Sequence, residues 1–398
     1  MRRPVIVEAV RTPIGRRGGG LAGLKAVELL RHVQVEVVHR AGIEPGLVEQ
    51  VIGGCVTQAG EQSLNVTRNA WLSTGLDYEV GCSTVDTSCG SAQQANHLVA
   101  ALIAAGAIDI GIACGVESMS RVPIGTNLYQ GPGHYKTSDY PWDDPPQAQF
   151  GGAERIAQRE GLTRGDLDAY GWLSQQRAAV AWREGRFDAE VALVAAGDPG
   201  GHGDSTGLGE STDEACTRAA VQVDEGLRET SAAELAALAP VVDGGLHTAG
   251  TISQVSDGAA AILWMSQERA DALGLRPRAR LEHQVVTGSD PYYLLDGPVV
   301  ATRKILDKAG MAIPDIDIFE VNEAFAAVVL CWAERYKADL DRVNPNGGAI
   351  SLGHPLGCSG TRLLVTALHE LERRDATTAL VTMCCGGALG TASLLVRE

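Results

Sequence analysis

The chain lacks the features that would place it in a membrane, outside the cell or on a nucleic acid. No run in its 398 residues approaches the roughly 18 apolar residues of a membrane span. The apolar run after "MRRP" is cut off by Glu8 and Arg11, too soon for the core of a signal peptide. A soluble cytoplasmic protein without membrane insertion is therefore expected. Basic residues are scarce: 33 Lys and Arg against 49 Asp and Glu leave a net charge of −16, which argues against non-specific nucleic-acid binding. An anionic ligand would have to be held by a local basic patch. The nine cysteines include no CxxC pair, and "CC" at 384–385 is not a metal spacing, so no zinc site is expected. Nor do they follow the spacing of a small disulfide-bonded domain, so reduced thiols are expected. The low apolar content of a disordered chain is missing as well. With 45% hydrophobic residues the chain can bury a large core, and its length predicts two or three domains.

What is present is an alternation of short apolar runs and amphipathic stretches. Residues 5–10, 51–56, 108–113, 316–321 and 378–384 read as mostly buried strands, and 24–40, 91–105, 298–309 and 360–374 as helices. That alternation predicts an α/β fold with largely parallel pairing. The two ends repeat. "AGIEPGLVEQVIGG" at 41–54 resembles "AGMAIPDIDIFEVN" at 309–322, an offset of 268. The stretch beginning at Cys89 resembles the one beginning at Cys358, an offset of 269 that reaches 270 at Cys114 and Cys384. Any two βαβ units look somewhat alike, but a steady offset favours duplication. The predicted division is one half from 1–120 with 245–270, a second from 271–398, and an inserted segment at 121–244 that shapes a substrate pocket. Within the insertion, 152–185 is amphipathic and 196–226 is a Gly-rich, polar surface excursion.

Four motifs could carry chemistry. In "VDTSCGSAQQANH", Cys89 stands where an apolar segment stops and a helix begins; first-turn N–H groups favour a thiolate, and Gly90, Ser91 and Ala92 leave room for a substrate. The alternative is a buried structural cysteine. "NGGAISLGHPLGCSG" places His354 in a Gly-rich loop that opens a helix, where it aims at a ligand or merely packs; His247 in "GLHTAG" is a weaker second. "TMCCGGALG" ends a strand at Cys384 and follows it with Gly386 and Gly387, whose N–H groups could hold an oxyanion. "EVNEAF" sets Asn322 and Glu323 just after a strand, in a pole position for a catalytic role or for a plain helix cap. Carbon–carbon chemistry on a thioester needs a nucleophile, a separate acid/base for the carbanion, and donors for two oxyanions. One cysteine cannot do both jobs, because it is esterified when the base is needed.

Taken together these motifs resemble the thiolase family over essentially the whole chain. "VIVEAVRTPIG", the Cys89 segment, "HTAGTISQVSDGAAA", "NEAF", "NGGAISLGHPLGCSG" and "MCCGGALG" stand in thiolase order and spacing. "VIGGCVTQAGEQS" and "CGSAQQANHL" are similar to actinobacterial thiolases that shorten steroid side chains. The resemblance implies a five-layer αβαβα core of two similar halves with an inserted loop domain, and a homodimer or homotetramer. It implies an acetyl-CoA C-acyltransferase of β-oxidation, with coenzyme A as co-substrate and neither a metal nor a permanently bound cofactor. By motif, Cys89 is the acylated nucleophile, His354 activates it, and Cys384 is the acid/base. Asn322 holds a water in one oxyanion hole, and the N–H groups of Cys89 and Gly386 form the other. Ser253 matches a pantetheine contact, and Arg228 a position near the nucleotide phosphates.

Several positions depart from the family pattern. Ala92 and Gln93 replace a Gly-Leu-like pair, Thr251 stands where Asn is common, "LLDGP" at 294–298 replaces a Met- and Gly-containing stretch, and "QFGGAE" at 149–154 lacks a Met–Gly. The expected catalytic positions are intact, so the altered positions point to the pocket walls and to a bulky or long 3-oxoacyl-CoA, such as a steroid side chain, rather than acetoacetyl-CoA. The rival readings are an acetyl-CoA C-acetyltransferase acting on acetoacetyl-CoA, a ketoacyl synthase, a cysteine hydrolase and a non-catalytic lipid-binding relative. A ketoacyl synthase would want a histidine at Asn322, the CoA-contact motifs count against a hydrolase, and a binding protein should have lost one of Cys89, His354 or Cys384. Cys385 is expected to point away from Cys384, since strand neighbours alternate faces.

Overall fold

The structure is a computed structural model that describes residues 2–129, 135–195 and 220–398. Most of the predicted 196–226 excursion lies outside the described residues. The strands are β1 (Pro4–Arg11), β2 (Gln50–Gly54), β3 (Gly81–Val85), β4 (Ile110–Ser118), β5 (Ser256–Ser266), β6 (Ala279–Gly288), β7 (Ile318–Val321), β8 (Thr378–Cys385) and β9 (Leu389–Arg397). They run in the order β7-β8-β9-β6-β1-β5-β4-β2-β3, with the two-residue strand Gly15–Arg16 beside β5. Apart from the extra edge strand β3, the order is the same read from either side of the β6–β1 junction. Each half has an antiparallel centre (β8-β9-β6 and β4-β5-β1) and a parallel partner beyond it (β7 and β2). The halves join through one opposed pair, Ile6 and Ala279.

Pairing is mostly antiparallel, not largely parallel as the strand–helix alternation predicts. The reason lies in β5 and β9. Both return directly against their neighbours; β9 follows β8 through a tight turn with Gly387 and Ala388 at positive φ (75° and 56°), leaving no room for a crossover helix.

Helices fill three layers around the two half-sheets. The layer between them holds α3 (Ser91–Ala105) and α8 (Ser359–Arg374), packed with Val99, Ile103, Leu364 and Leu368. α1 (Ala26–Ala41) and α2 (Val66–Leu72) cover the outer face of the first half, and α6 (Gly297–Ala309) and α7 (Ala326–Tyr336) that of the second. The result is the expected five-layer αβαβα arrangement. The repeat is visible in detail: α1 stops at Gly42 and α6 at Gly310, both in the left-handed region (φ 66° and 63°), and each is followed by a short 3-10 turn and a strand. α4 (Gln149–Arg159) and α5 (Arg164–Arg183) lie in the sequence between the halves, and α4 packs against α7.

The central helices make polar as well as apolar contacts. Asn96 on α3 donates to Thr361 Oγ1 on α8 at 2.8 Å and accepts from Trp264 Nε1 of β5 at 2.9 Å. A Cβ on Gly360 would lie 2.3 Å from the Gln93 nitrogen, so the first turns of the two helices touch backbone to backbone. That contact brings the loop before α8, with its histidine, against the start of α3, with its cysteine.

Candidate active site

Cys89 sits at the entrance to α3 on a turn that holds Ser88 at φ 50°. Side chains brace the turn: Ser88 N–H donates to Asp86 Oδ1 at 2.7 Å, and Thr87 N–H to Ser91 Oγ at 2.9 Å. The sulfur is buried, and burial pushes its thiol up to about 11 against the opposing effect of three donors that face it, the N–H groups of Gly386 and of Cys89 itself and the side-chain amide of Gln149. A resting thiolate expected from the helix start alone is therefore not what the site holds at neutral pH. Desolvation outweighs the helix terminus.

Cys384, the penultimate residue of β8, is buried as well. Burial raises its thiol further, and the charge of Cys89 adds to the rise, so the two sulfurs lie near enough to interact. Cys385 faces the other way, as alternation predicts, and packs between the sheets with its sulfur 2.7 Å from where a Cβ on Gly90 would stand. It nevertheless lies near enough to feel the charge of Cys89, under the first turn of α3.

His354 is buried, and burial lowers it to about 3, so its ring is neutral at rest. Its hydrogen bonds assign the tautomer. Ser359 Oγ donates to the Pro355 carbonyl at 2.9 Å and so accepts from His354 Nδ1–H at 2.6 Å. Nε2 is then bare, 3.3 Å from Asn322 Nδ2, which donates to it. Asn322 is fixed by its N–H bond to the Thr382 carbonyl at 3.0 Å, two residues before Cys384. Its Oδ1 is buried with no hydrogen-bond partner, an acceptor that a water could satisfy.

Two buried carboxylates hold these loops. Glu323 accepts from Tyr170 Oη, Ser174 Oγ, Asn344 Nδ2 and the Ile350 N–H at 2.7 to 3.1 Å, tying "NEAF" to α5 and to the loop before His354. It is not a helix cap; the cap position of α7 is Phe325. Glu117, at the end of β4, accepts from the N–H groups of Val56, Thr57 and Gly357 and from Gln62 Nε2 at 2.8 to 3.0 Å. Its role was hidden in the sequence, where an acid at a strand end reads as surface. Gln149 and Ser359 were also missed, each lacking any spacing signal.

Ser253 and Arg228 line a second feature, a cavity of about 640 Å³ shared with Arg16, Arg17 and Gln254. Three guanidinium groups face one carboxylate, Glu225, which is itself occupied by the N–H groups of Arg16 and Gly20. The cavity gathers three arginines in one place on an acidic protein. Its floor meets the loops above: the Gln254 carbonyl accepts from His354 N–H at 3.4 Å, and Ser253 N–H donates to the Ala324 carbonyl at 3.0 Å. His247 plays a local part. Its Nδ1 meets Glu154 at 2.9 Å and its ring stands edge-on to Phe325.

Fold and site define the class, an acyltransferase with a five-layer αβαβα core. The chain belongs to the thiolase family: residues 4–268 match the thiolase N-terminal domain and 275–397 the thiolase C-terminal domain. It is 42% identical over 406 residues to the steroid 3-ketoacyl-CoA thiolase FadA6 of Mycobacterium tuberculosis, covering all of this chain and 94% of that one. It is 40% identical over 410 residues to a 3-ketoacyl-CoA thiolase of Aeromonas hydrophila, with both chains fully covered. Among solved structures, the Bacillus anthracis acetyl-CoA acetyltransferase superposes with a TM-score of 0.88 at 33% identity, covering 100% of this chain and 99% of that one. Human mitochondrial 3-ketoacyl-CoA thiolase superposes at 0.86 and 32% with the same coverage.

Proposed function

We propose that the protein is an acetyl-CoA C-acyltransferase that cleaves a 3-oxoacyl-CoA with coenzyme A. The observation that carries the reading is a pair of buried thiols near enough that the charge of Cys89 raises the Cys384 thiol. A single nucleophile would serve a hydrolase; a second thiol is what carbanion chemistry adds. The Cys89 proton passes to the bare Nε2 of His354 as sulfur attacks C3. The C2–C3 bond breaks, and its electron pair leaves on C2 as the enolate of acetyl-CoA. Asn322, through a water, and His354 stabilise the enolate oxygen, while the N–H groups of Cys89 and Gly386 hold the thioester oxygen; each well-placed donor contributes roughly 3 kcal/mol. Cys384 gives its proton to C2. Its thiolate then takes the proton of incoming CoA, whose sulfur attacks the acyl-enzyme, and Cys89 leaves with the proton returned by His354.

Coenzyme A is proposed to lie in the arginine-lined cavity, its phosphates toward Arg228 and its pantetheine arm past Ser253 to His354. Residues 121–244 are read as the insertion that walls the acyl pocket. Apolar surface is uncovered there at Trp142 and Phe150 and beside it at Tyr292, and Arg155 binds the Asp143 and Tyr292 carbonyls at 3.0 and 2.9 Å to hold the two segments together. The name of the steroid-acting relative adds support for a bulky acyl group. A homodimer or homotetramer fits the unpaired edge of β3, with Leu64 exposed nearby. The testing experiment is CoA-dependent cleavage of acetoacetyl-CoA, a long-chain 3-oxoacyl-CoA and a 3-oxo steroid-side-chain CoA. Acetoacetyl-CoA is expected to be the poorest substrate. If it is the best, the bulky-pocket reading fails; if none is cleaved, the activity itself does.

A further inference from the structure

The start of α4 is built at a local cost. Gln147 and Ala148 both have positive φ (58° and 52°), a region that non-glycine residues rarely occupy, and no side chain caps the helix. The strained entry delivers Gln149 to the acyl site. A Cβ on Gly386 would lie 3.3 Å from Gln149 Nε2 and 3.1 Å from Ser88 Oγ, so the amide rests directly against the peptide whose N–H faces Cys89. The surroundings keep it there. A Cβ on Gly151 would meet the Pro146 carbonyl at 1.9 Å, and the Phe150 ring stands edge-on to Phe325 at 5.5 Å. Among the described residues no hydrogen bond to a carbonyl or other oxygen occupies the Gln149 amide, and its presence lowers the Cys89 thiol.

We propose that Gln149 is a third hydrogen-bond donor of the acyl site, supporting the Cys89 sulfur anion and then the carbonyl oxygen of the acyl-enzyme. The inference rests on the reading of Cys89 as the acylated nucleophile. The backbone donors are fixed, whereas the Gln149 amide turns about its own torsions. A thioester sulfur is a poor acceptor and its carbonyl oxygen a good one, so the amide has reason to follow the charge from one to the other. A side chain without a donor, such as the methionine of the family pattern at this place, would fill the space and leave that charge to two N–H groups.

The test compares wild type with Gln149→Met, which keeps length and removes the donor, and Gln149→Glu, which keeps shape and adds an acceptor. The readout is the pH dependence of Cys89 alkylation by iodoacetamide without any acyl-CoA, followed by peptide mass. Both variants should shift the midpoint upward, with Gln149→Met alkylated about tenfold more slowly at pH 8, as loss of one hydrogen bond to a charged group predicts. CoA-dependent deacylation of preformed acyl-Cys89 should slow as well. Profiles that superimpose on wild type would overturn the proposal, and so would a shift confined to Gln149→Glu, which reflects added charge alone. Failure of the underlying reading would look different: wild type would form no acyl adduct on Cys89, while the alkylation profiles would still report the donor.

Discussion

At the residue scale, the central pair rests uncharged. Burial holds the Cys89 thiol near 11 and the His354 imidazole near 3, so across neutral pH the proton stays on sulfur. In the proposed reaction the ion pair forms only as the sulfur attacks C3 and its charge moves to the C3 oxygen. Two predictions belong here. The alkylation rate of wild-type Cys89 should climb with pH beyond 9, because the reactive thiolate grows in until the region of pH 11; a plateau at neutral pH would mean a resting thiolate. His354→Gln should slow acylation, measured by rapid quench, by about 10² to 10⁴-fold, the span of a lost general base. As candidates, the two sulfurs were legible in the sequence because each stands beside glycine at the end of an apolar run, and His354 because it sits in a Gly-rich loop that opens a helix. Their protonation states were not, since desolvation depends on what the fold packs around them.

At the element scale, the catalytic loops owe their shape to buried acids. Removing Glu323 would strand two hydroxyls, an amide and a peptide N–H inside the protein, each unpaired donor costing about 1–3 kcal/mol. Glu323→Ala should lower stability by about 3 kcal/mol or more, read as a fall in the urea midpoint with an unchanged slope. Gln93 is a similar stitch: its amide donates to the Val381 carbonyl and Ser393 Oγ and accepts from Thr391 Oγ1, so this departure from the family pattern ties α3 to the second half-sheet. Thr251 likewise serves a turn, accepting from Thr248 N–H at 2.8 Å. Helices α1, α3, α6 and α8, the amphipathic stretch of α4 and α5, and five strands could be read from the chain because their apolar periods are strong; α2 and α7 could not. Nor could β3 or the three antiparallel strands β5, β6 and β9: β5 is buried throughout and rich in alanine, so it shows no alternation and a single β-branched residue, Ile262. Missing those strands is why the pairing looked parallel.

At the scale of the whole molecule, an acidic protein gathers three arginines around one cavity, where coenzyme A is proposed to bind. Arg228→Gln should raise KM for CoA several-fold, and the difference from wild type should shrink as salt screens the exposed charge. The duplication legible in the sequence becomes the pseudo-symmetric sheet, and it places Cys89 at the start of the first half's central helix and Cys384 at the end of a strand in the second. The site exists only where the halves meet. The most direct test is to acylate the wild type and Cys384→Ala with a simple acyl-CoA and locate the adduct by intact and peptide mass. The adduct should sit on Cys89 in both proteins, with proton exchange at the acetyl carbon of acetyl-CoA lost only in the variant. An adduct on another residue, or exchange that survives without Cys384, would contradict the division of labour between the two thiols.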